Sequence, residues 1–211
     1  MSLRHEILAL LTIEPMTGYE LVKILDDTLG LLWAAPHSQI YPELRKMEGS
    51  GLIDAENVPR GARAEKRLYT ITKHGVEELQ RWEQEPQSHS PERDAHRLKA
   101  AYFEFANPQA ARTQLNRHLT HWTRRADLWT ELLEGIRTRT HPLLRRRLER
   151  FPPETHDVII EFKALAFEGQ LARAHAEIEW AKHCLSTLDQ LGDLARVQDL
   201  IAKAAKSHAS R

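Results

Sequence analysis

Apolar residues recur along this chain with two different rhythms. From Leu3 to Leu29 and from Ile40 to Met47 they return every three or four positions: Leu3, Ile7, Leu10 and Leu11, then Tyr19, Leu21, Val22, Leu25 and Leu29, then Ile40, Leu44 and Met47. That spacing predicts three amphipathic helices, separated by the break at Glu14-Pro15 and a restart at Thr17-Gly18. Leu52-Ile53 and Leu68-Tyr69-Thr70-Ile71 are short and β-rich, and the later run alternates as a half-buried strand should. Between them lies PRGARAEKR, where Pro59 and Gly61 are expected to turn the chain. A helix over 73–85 follows, with Val76, Leu79 and Trp82 on one face. The predicted order is helix, helix, helix, strand, basic loop, strand, helix, which is the order of a winged helix-turn-helix.

The third helix and the loop carry the candidate chemistry. Ser38 is a candidate N-cap, and Pro42 is expected in the first turn, where the amide it lacks has no intrahelical partner anyway. Gly49 and Gly51 are expected to end the helix. Gln39 at the helix start can pair with a base edge, adenine most naturally. Ser38 and Tyr41 can bond phosphates, and Arg45 and Lys46 can reach phosphate or guanine. Arg63, Lys66 and Arg67 would hold the DNA backbone or minor groove beside the wing.

Beyond EPQSHSPER, a linker placed at 86–92, the rhythm is almost wholly helical. Asn107-Pro108 is an N-cap followed by proline at the first helical position. Leu115, Leu119, Trp122, Ala126, Trp129, Leu133 and Ile136 then alternate in steps of four and three, as do Ile160, Ala164, Phe167, Leu171, Ala174, Ile178, Ala181, Leu185 and Leu188. Such heptads predict long helices with coiled-coil-like seams. The two can pack on each other, or one seam or a neighbouring face can meet a second subunit. Ile159, Phe162, Leu165 and Trp180 lie off the second seam, and a helix apolar on more than one stripe has more than one partner. Phe167, Leu171, Ile178 and Leu185 are therefore candidate dimerisation residues. The predicted domains are 1–85 (DNA-binding), 93–192 (helical, dimerising) and 193–211, an amphipathic tail with a frayed KSHASR end.

Four segments also carry a resemblance. GYEL at Gly18–Leu21, IYPEL at Ile40–Leu44, MEGSGLI at Met47–Ile53 and RLYTITKHG at Arg67–Gly75 together resemble the PadR-type transcriptional regulators, in that family's order and spacing over most of residues 3–82. The helical remainder is similar to the larger PadR subfamily, whose C-terminal part dimerises. The resemblance implies a cytoplasmic homodimer, usually a repressor, on an inverted-repeat operator. Many members release DNA when a small, often aromatic, effector binds. In the family the tyrosines matching Tyr19 and Tyr41 lie near the DNA backbone.

Composition modifies this picture at few points. The formal net charge is zero, and residues 1–90 hold ten Lys/Arg against fourteen Asp/Glu. Residues 59–73, however, hold five basic groups and one acid, and phosphate neutralisation needs local clustering of charge. No apolar run approaches a membrane span, no signal-peptide pattern opens the chain, and the single cysteine, Cys184, excludes an intrachain disulfide. Nucleotide-fold and hydrolase motifs are missing, so neither an enzyme nor a cofactor is expected. The twelve histidines include His118/His121 and the stripe His175, Glu179, His183, read as solvated helix surface and not as a metal site. The Arg145–Arg147 run with Arg150 reads as a solvated face or an inter-helix charge network. Five tryptophans leave room for an aromatic effector pocket, expected near Trp33 and Trp82 at the domain junction. The competing class is a winged-helix protein-interaction adaptor that never meets DNA.

Overall fold

A computed structural model describes residues 3–25, 37–59, 65–88, 94–192 and 194–209. Mainly helical, it divides into two compact units, Met1–His89 with Arg146–Pro152, and Ser90–Arg145 with Pro153–Arg211.

In the first unit, helix α1 (Leu3–Leu11) buries Ile7, Leu8, Leu10 and Leu11. Strand β1 (Met16–Thr17) leads directly into α2 (Gly18–Ile24). Thr17 closes a reciprocal capping box: its hydroxyl accepts from the Glu20 amide at 3.3 Å, and the Glu20 carboxylate accepts from the Thr17 amide at 2.8 Å. Helix α3 (His37–Gly49) buries Ile40, Leu44 and Met47 completely, the stripe the spacing predicted. Just past its end Gly51, with φ of +69°, takes a left-handed conformation suited to glycine.

Strands β2 (Ile53–Pro59) and β3 (Glu65–Ile71) pair antiparallel from Ile53 opposite Ile71 to Pro59 opposite Glu65, and β1 adds to the far side of β3. Helix α4 (Lys73–Gln84) starts from a Thr72 cap, whose hydroxyl accepts from the Gly75 amide at 3.0 Å. Arg146–Pro152 groups with this unit although it lies far along the sequence. There the Arg147 guanidinium donates to the Ala9 carbonyl at 2.5 Å, and Arg146 pairs with Glu14. Two of the clustered arginines thus bond α1 and the turn that follows it, and are not simply a solvated face.

Several local expectations change. Helix α3 already includes His37, so Ser38 sits within its first turn and is not its N-cap. The buried stripe fixes this helix, and its exact start is not set by any of those residues. Pro42 consequently lies past the first turn and removes one helical hydrogen bond, that to the Ser38 carbonyl. Pro59 is a strand residue paired with Glu65, not a turn residue; β2 is an edge strand, the place in a sheet where proline is tolerated. Strand β1 and a short helix over Ala95–Ala100 carry too little periodicity to be foreseen. Gly61, and the predicted second helix beyond Leu25, lie outside the described residues.

The second unit opens with α5 (Ala95–Ala100), whose cap Asp94 accepts from the His96 and Arg97 amides. After a short turn over Phe103–Phe105 comes α6 (Pro108–Arg137), capped by Asn107 as expected. Helix α7 (Pro142–Arg150) precedes α8 (His156–Gln190). At 1.5 Å per residue, α6 and α8 span about 45 Å and about 52 Å. They run antiparallel, since Ala111 and Leu115 cluster with Leu188 at one end while Arg137 pairs with Glu168 at the other. Along the seam Leu115, Ala126, Trp129 and Ile136 of α6 and Ile160, Ala164, Phe167, Ala174, Ala181 and Leu188 of α8 are buried. The fully buried alanines bring the two backbones close. Both heptad series therefore meet within one chain. Helix α9 (Leu194–Ala209) continues into KSHASR as far as Ala209, so the described part of that segment is helical and not frayed. Its buried Gln198 donates to the Phe103 carbonyl at 2.7 Å. Among the described residues no helix is long and apolar enough to cross a membrane.

Candidate nucleic-acid interface

The first unit gathers five of the predicted residues around one notch. Tyr19, Tyr41, Arg45, Lys66 and Arg67 line it together with Thr17, Gly18, Glu20 and Tyr69. They come from the start of α2, one side of α3 and strand β3, so the capping box at Thr17 and the pairing of β1 with β3 hold the parts in register. Tyr19 and Tyr41 are 72% and 46% exposed, an unusual cost for aromatic rings that have a core to join. Gly18 lets this happen: a β-carbon there would stand 2.7 Å from Tyr41 Cε1, so only glycine admits the Tyr41 ring against the start of α2.

The charges around the notch are not equivalent. Arg45 makes no ion pair among the described residues, and Lys66 is exposed. Arg67 pairs with Glu48 and lies 5.7 Å from the centre of the Tyr69 ring, so part of its charge is already spent. Lys46, 4.0 Å from Glu43, keeps a 70% exposed side chain. The Glu20 carboxyl is held below its ordinary range by hydrogen bonds from the Thr17 amide and hydroxyl, with Lys66 adding to the effect. It stays ionised yet largely occupied. Burial pushes the Tyr69 phenol up, which keeps its proton available for donation. The arrangement offers three cations, of which Arg67 is already paired, two exposed phenols and a buried phenol at one place, chemistry suited to a phosphodiester.

Ser38 and Gln39 are exposed in the first turn of α3, next to Tyr41 in sequence, where side chains at a helix start can reach base edges. Arg63 and Trp33 lie outside the described residues. Trp82 is half-buried, and His5 stacks on its ring at 4.6 Å, nearly parallel, while His5 Nε2 meets Glu78 at 3.2 Å. One face of Trp82 is therefore covered. Of the candidate dimerisation residues, Phe167 is in the α6–α8 seam, Leu185 packs with Ala111, Leu115 and Leu188, Ile178 lines a groove with Leu119 and Ala126, and Leu171 is half-buried.

His118 is not a surface histidine. It is buried, and its Nε2 meets the buried Glu177 carboxylate at 3.1 Å. Desolvation lowers the His118 pKa against the opposing pull of Glu177. Among the described residues no group of three or more His, Cys, Asp or Glu side chains is placed to hold a metal ion. Burial raises the Cys184 thiol, as fits packing. Sequence reasoning missed Gly18, Glu20, Glu48 and Tyr69 as supports of the notch. The Thr17-x-x-Glu20 spacing of a capping box was the readable signal for two of the notch-lining groups.

Comparison with known proteins finds relatives of both units. Residues 7–81 match the model of the transcriptional regulator PadR-like family. The negative transcriptional regulator PadR of Bacillus subtilis is 40% identical over 80 residues, covering 38% of this chain and 44% of that protein. The aligned part is thus less than half of either chain. The likeness in structure is longer. The crystal structure of Bacillus subtilis PadR in complex with operator DNA has a TM-score of 0.70 at 25% identity, over 88% of this chain and 98% of that one. The same protein in complex with p-coumaric acid gives a TM-score of 0.64 at 25% identity, over 89% and 98%.

Proposed function

We propose that this chain, whose residues 7–81 match the model of the transcriptional regulator PadR-like family, is a homodimeric repressor, not an enzyme, that binds an inverted-repeat operator and responds to a small aromatic ligand. The observation that carries the DNA-binding part is the notch of Tyr19, Tyr41, Arg45, Lys66 and Arg67 beside the exposed Ser38 and Gln39. In this reading the tyrosines and cations grip the phosphate backbone and fix the register, while Gln39 reads a base edge in the major groove. Arg63 and Lys46 add backbone contacts. The resemblance to a protein crystallised with operator DNA supports it.

Repression is suggested by the name of the Bacillus subtilis relative, and an aromatic effector by that protein's complex with p-coumaric acid. A regulator of this kind works beside the chromosome, in the cytoplasm. The dimer is supported by a stripe left in water on α8. Val158, Phe162, Leu165, Gly169, Ala172 and Ala176 are all exposed and are spaced by four and three, a second seam with no partner in its own chain among the described residues. Two α3 helices would then enter successive major grooves, about 34–36 Å apart.

Footprinting on the duplex upstream of this chain's own gene tests the reading. Two protected half-sites separated by about one helical turn (10–10.5 bp) are expected. A single half-site would refute the dimeric mode. Absence of protection alongside capture of a protein partner by the α3 surface would support an adaptor instead.

A further inference from the structure

Most cations of the interface are met by acids of the same chain. Lys46 stands 4.0 Å from Glu43, whose carboxylate also accepts from Arg4 at 3.0 Å. Hydrogen bonds from Thr17 chiefly lower the Glu20 carboxyl, and the Lys66 charge adds to them. Arg67 on β3 pairs with Glu48 in the last turn of α3.

The Glu48 pair differs from the others in its reach. Glu43 and Lys46 lie three positions apart on one helix face, as on any exposed helix. Glu48 instead crosses from α3 to the wing strand, and the guanidinium it holds lines the notch. The Arg67 and Glu48 side chains are 44% and 33% exposed, so a group from outside can reach the pair. Burial chiefly raises the Tyr69 phenol, and the Glu48 charge adds to it, so this carboxylate is felt inside the notch.

A carboxylate and a phosphodiester both suit the guanidinium fork, so the two compete for it. An exposed ion pair adds little to folding stability. Sequence-independent DNA binding, by contrast, depends on how many phosphates the protein neutralises. A cation held by its own chain is one phosphate contact fewer.

We propose that Glu48 is a built-in competitor for DNA phosphate: by holding Arg67 it keeps binding to DNA of any sequence weak. Weak binding of that kind lets the protein leave wrong sites quickly, since such changes act mainly on the dissociation rate. Glu48 acts through Arg67 and is a positioning residue. The proposal rests on the DNA-binding reading above.

Fluorescence anisotropy of the full-length protein and of Glu48→Gln tests it, across a salt series. The probes are a scrambled duplex and the duplex from upstream of the chain's own gene. Glutamine keeps the size of the side chain and can still accept from Arg67, so the tie from helix to wing survives while the charge goes. The variant should bind the scrambled duplex at least about threefold more tightly, the scale of an exposed ion pair. Its salt slope should steepen by about 0.9 for each subunit on the DNA. In an Arg67→Gln background the same change should bring much less gain, because the two residues act as one unit. A purely structural tie predicts the opposite sign, since loosening the wing would weaken binding. Unchanged or weaker binding by Glu48→Gln would overturn the proposal. So would an undiminished gain in the Arg67→Gln background, which would mark a simple effect of net charge. If the unaltered protein binds neither duplex at any salt concentration, the DNA-binding reading falls and the proposal with it. If it binds and Glu48→Gln tightens neither duplex, the proposal alone falls.

Discussion

Replacing Gly75 by alanine reverses the usual rule for a glycine in a helix. Alanine is normally about 1 kcal/mol better than glycine inside a helix. Here the added β-carbon would stand 2.2 Å from the Leu52 carbonyl oxygen, 2.9 Å from Ile71 Cγ1 and 3.1 Å from Leu8 Cδ2. The nearest of these is backbone, and it is fixed. The Leu52 carbonyl accepts from the Thr72 amide at 3.1 Å and from the Thr72 hydroxyl at 3.0 Å. Relief requires α4 to move away from the sheet and from α1. Overpacking a rigid site costs about 1–3 kcal/mol, and a pinned carbonyl puts this case at the upper end. Setting about 1 kcal/mol of helix propensity against about 3 kcal/mol of overpacking leaves a loss of about 2 kcal/mol. For a domain of about 60–100 residues that lowers Tm by about 8–16 °C. Differential scanning calorimetry of the full chain reads it directly. Gly49→Ala is the control, since a β-carbon there meets nothing within 4 Å, and no loss is expected. A Gly75→Ala protein as stable as the parent would refute the described packing of α4 on the hairpin.

Four further outcomes follow from the same structure. Burial pushes the Glu6 carboxyl up to about 7; because this is above its unfolded value, the protonated form is favoured by folding, and that stability is present at pH 4 and lost as pH rises through 7. Glu6→Gln should therefore raise Tm at pH 8 and leave it nearly unchanged at pH 4; an equal shift at both would contradict the buried-carboxyl assignment. Lys66→Ala should weaken every duplex alike and reduce the salt slope by about one, and a loss confined to one base position would argue against a phosphate contact. Gln39→Ala should relax sequence preference, so unchanged relative affinities for operator variants would remove its readout role. Phe162→Glu, on the exposed α8 stripe, should give a folded monomer in analytical ultracentrifugation; an intact dimer would move the interface elsewhere.

What the sequence made legible follows the physics of each signal. Ile40, Leu44 and Met47 were readable because burying one stripe leaves a period that no other element imitates, and the same holds for the seams of α6 and α8. Asn107-Pro108 was readable because a cap and a proline at the first position act locally. The two-residue β1 was not, since pairing Met16 with Tyr69 is set by tertiary contact across more than fifty positions. Neither was the burial of His118, because a histidine at a helical spacing looks the same whether its partner is water or Glu177. The notch was half-legible. Its tyrosines and cations were named from α2, α3 and the wing, but the close approach that Gly18 allows exists only in three dimensions. The occupants of the seams were the least legible part, since a heptad states that a partner exists and not whether it lies in the same chain.

The central claim is that α3 and the wing bind duplex DNA selectively. Fluorescence anisotropy across a salt series tests it most directly, with the duplex from upstream of this chain's own gene and a scrambled duplex as control. If roughly eight phosphates are neutralised per dimer, log affinity should fall against log salt with a slope of about −7, and the native duplex should bind more tightly at every salt concentration. A slope near zero, or equal binding of the two duplexes throughout, would contradict it.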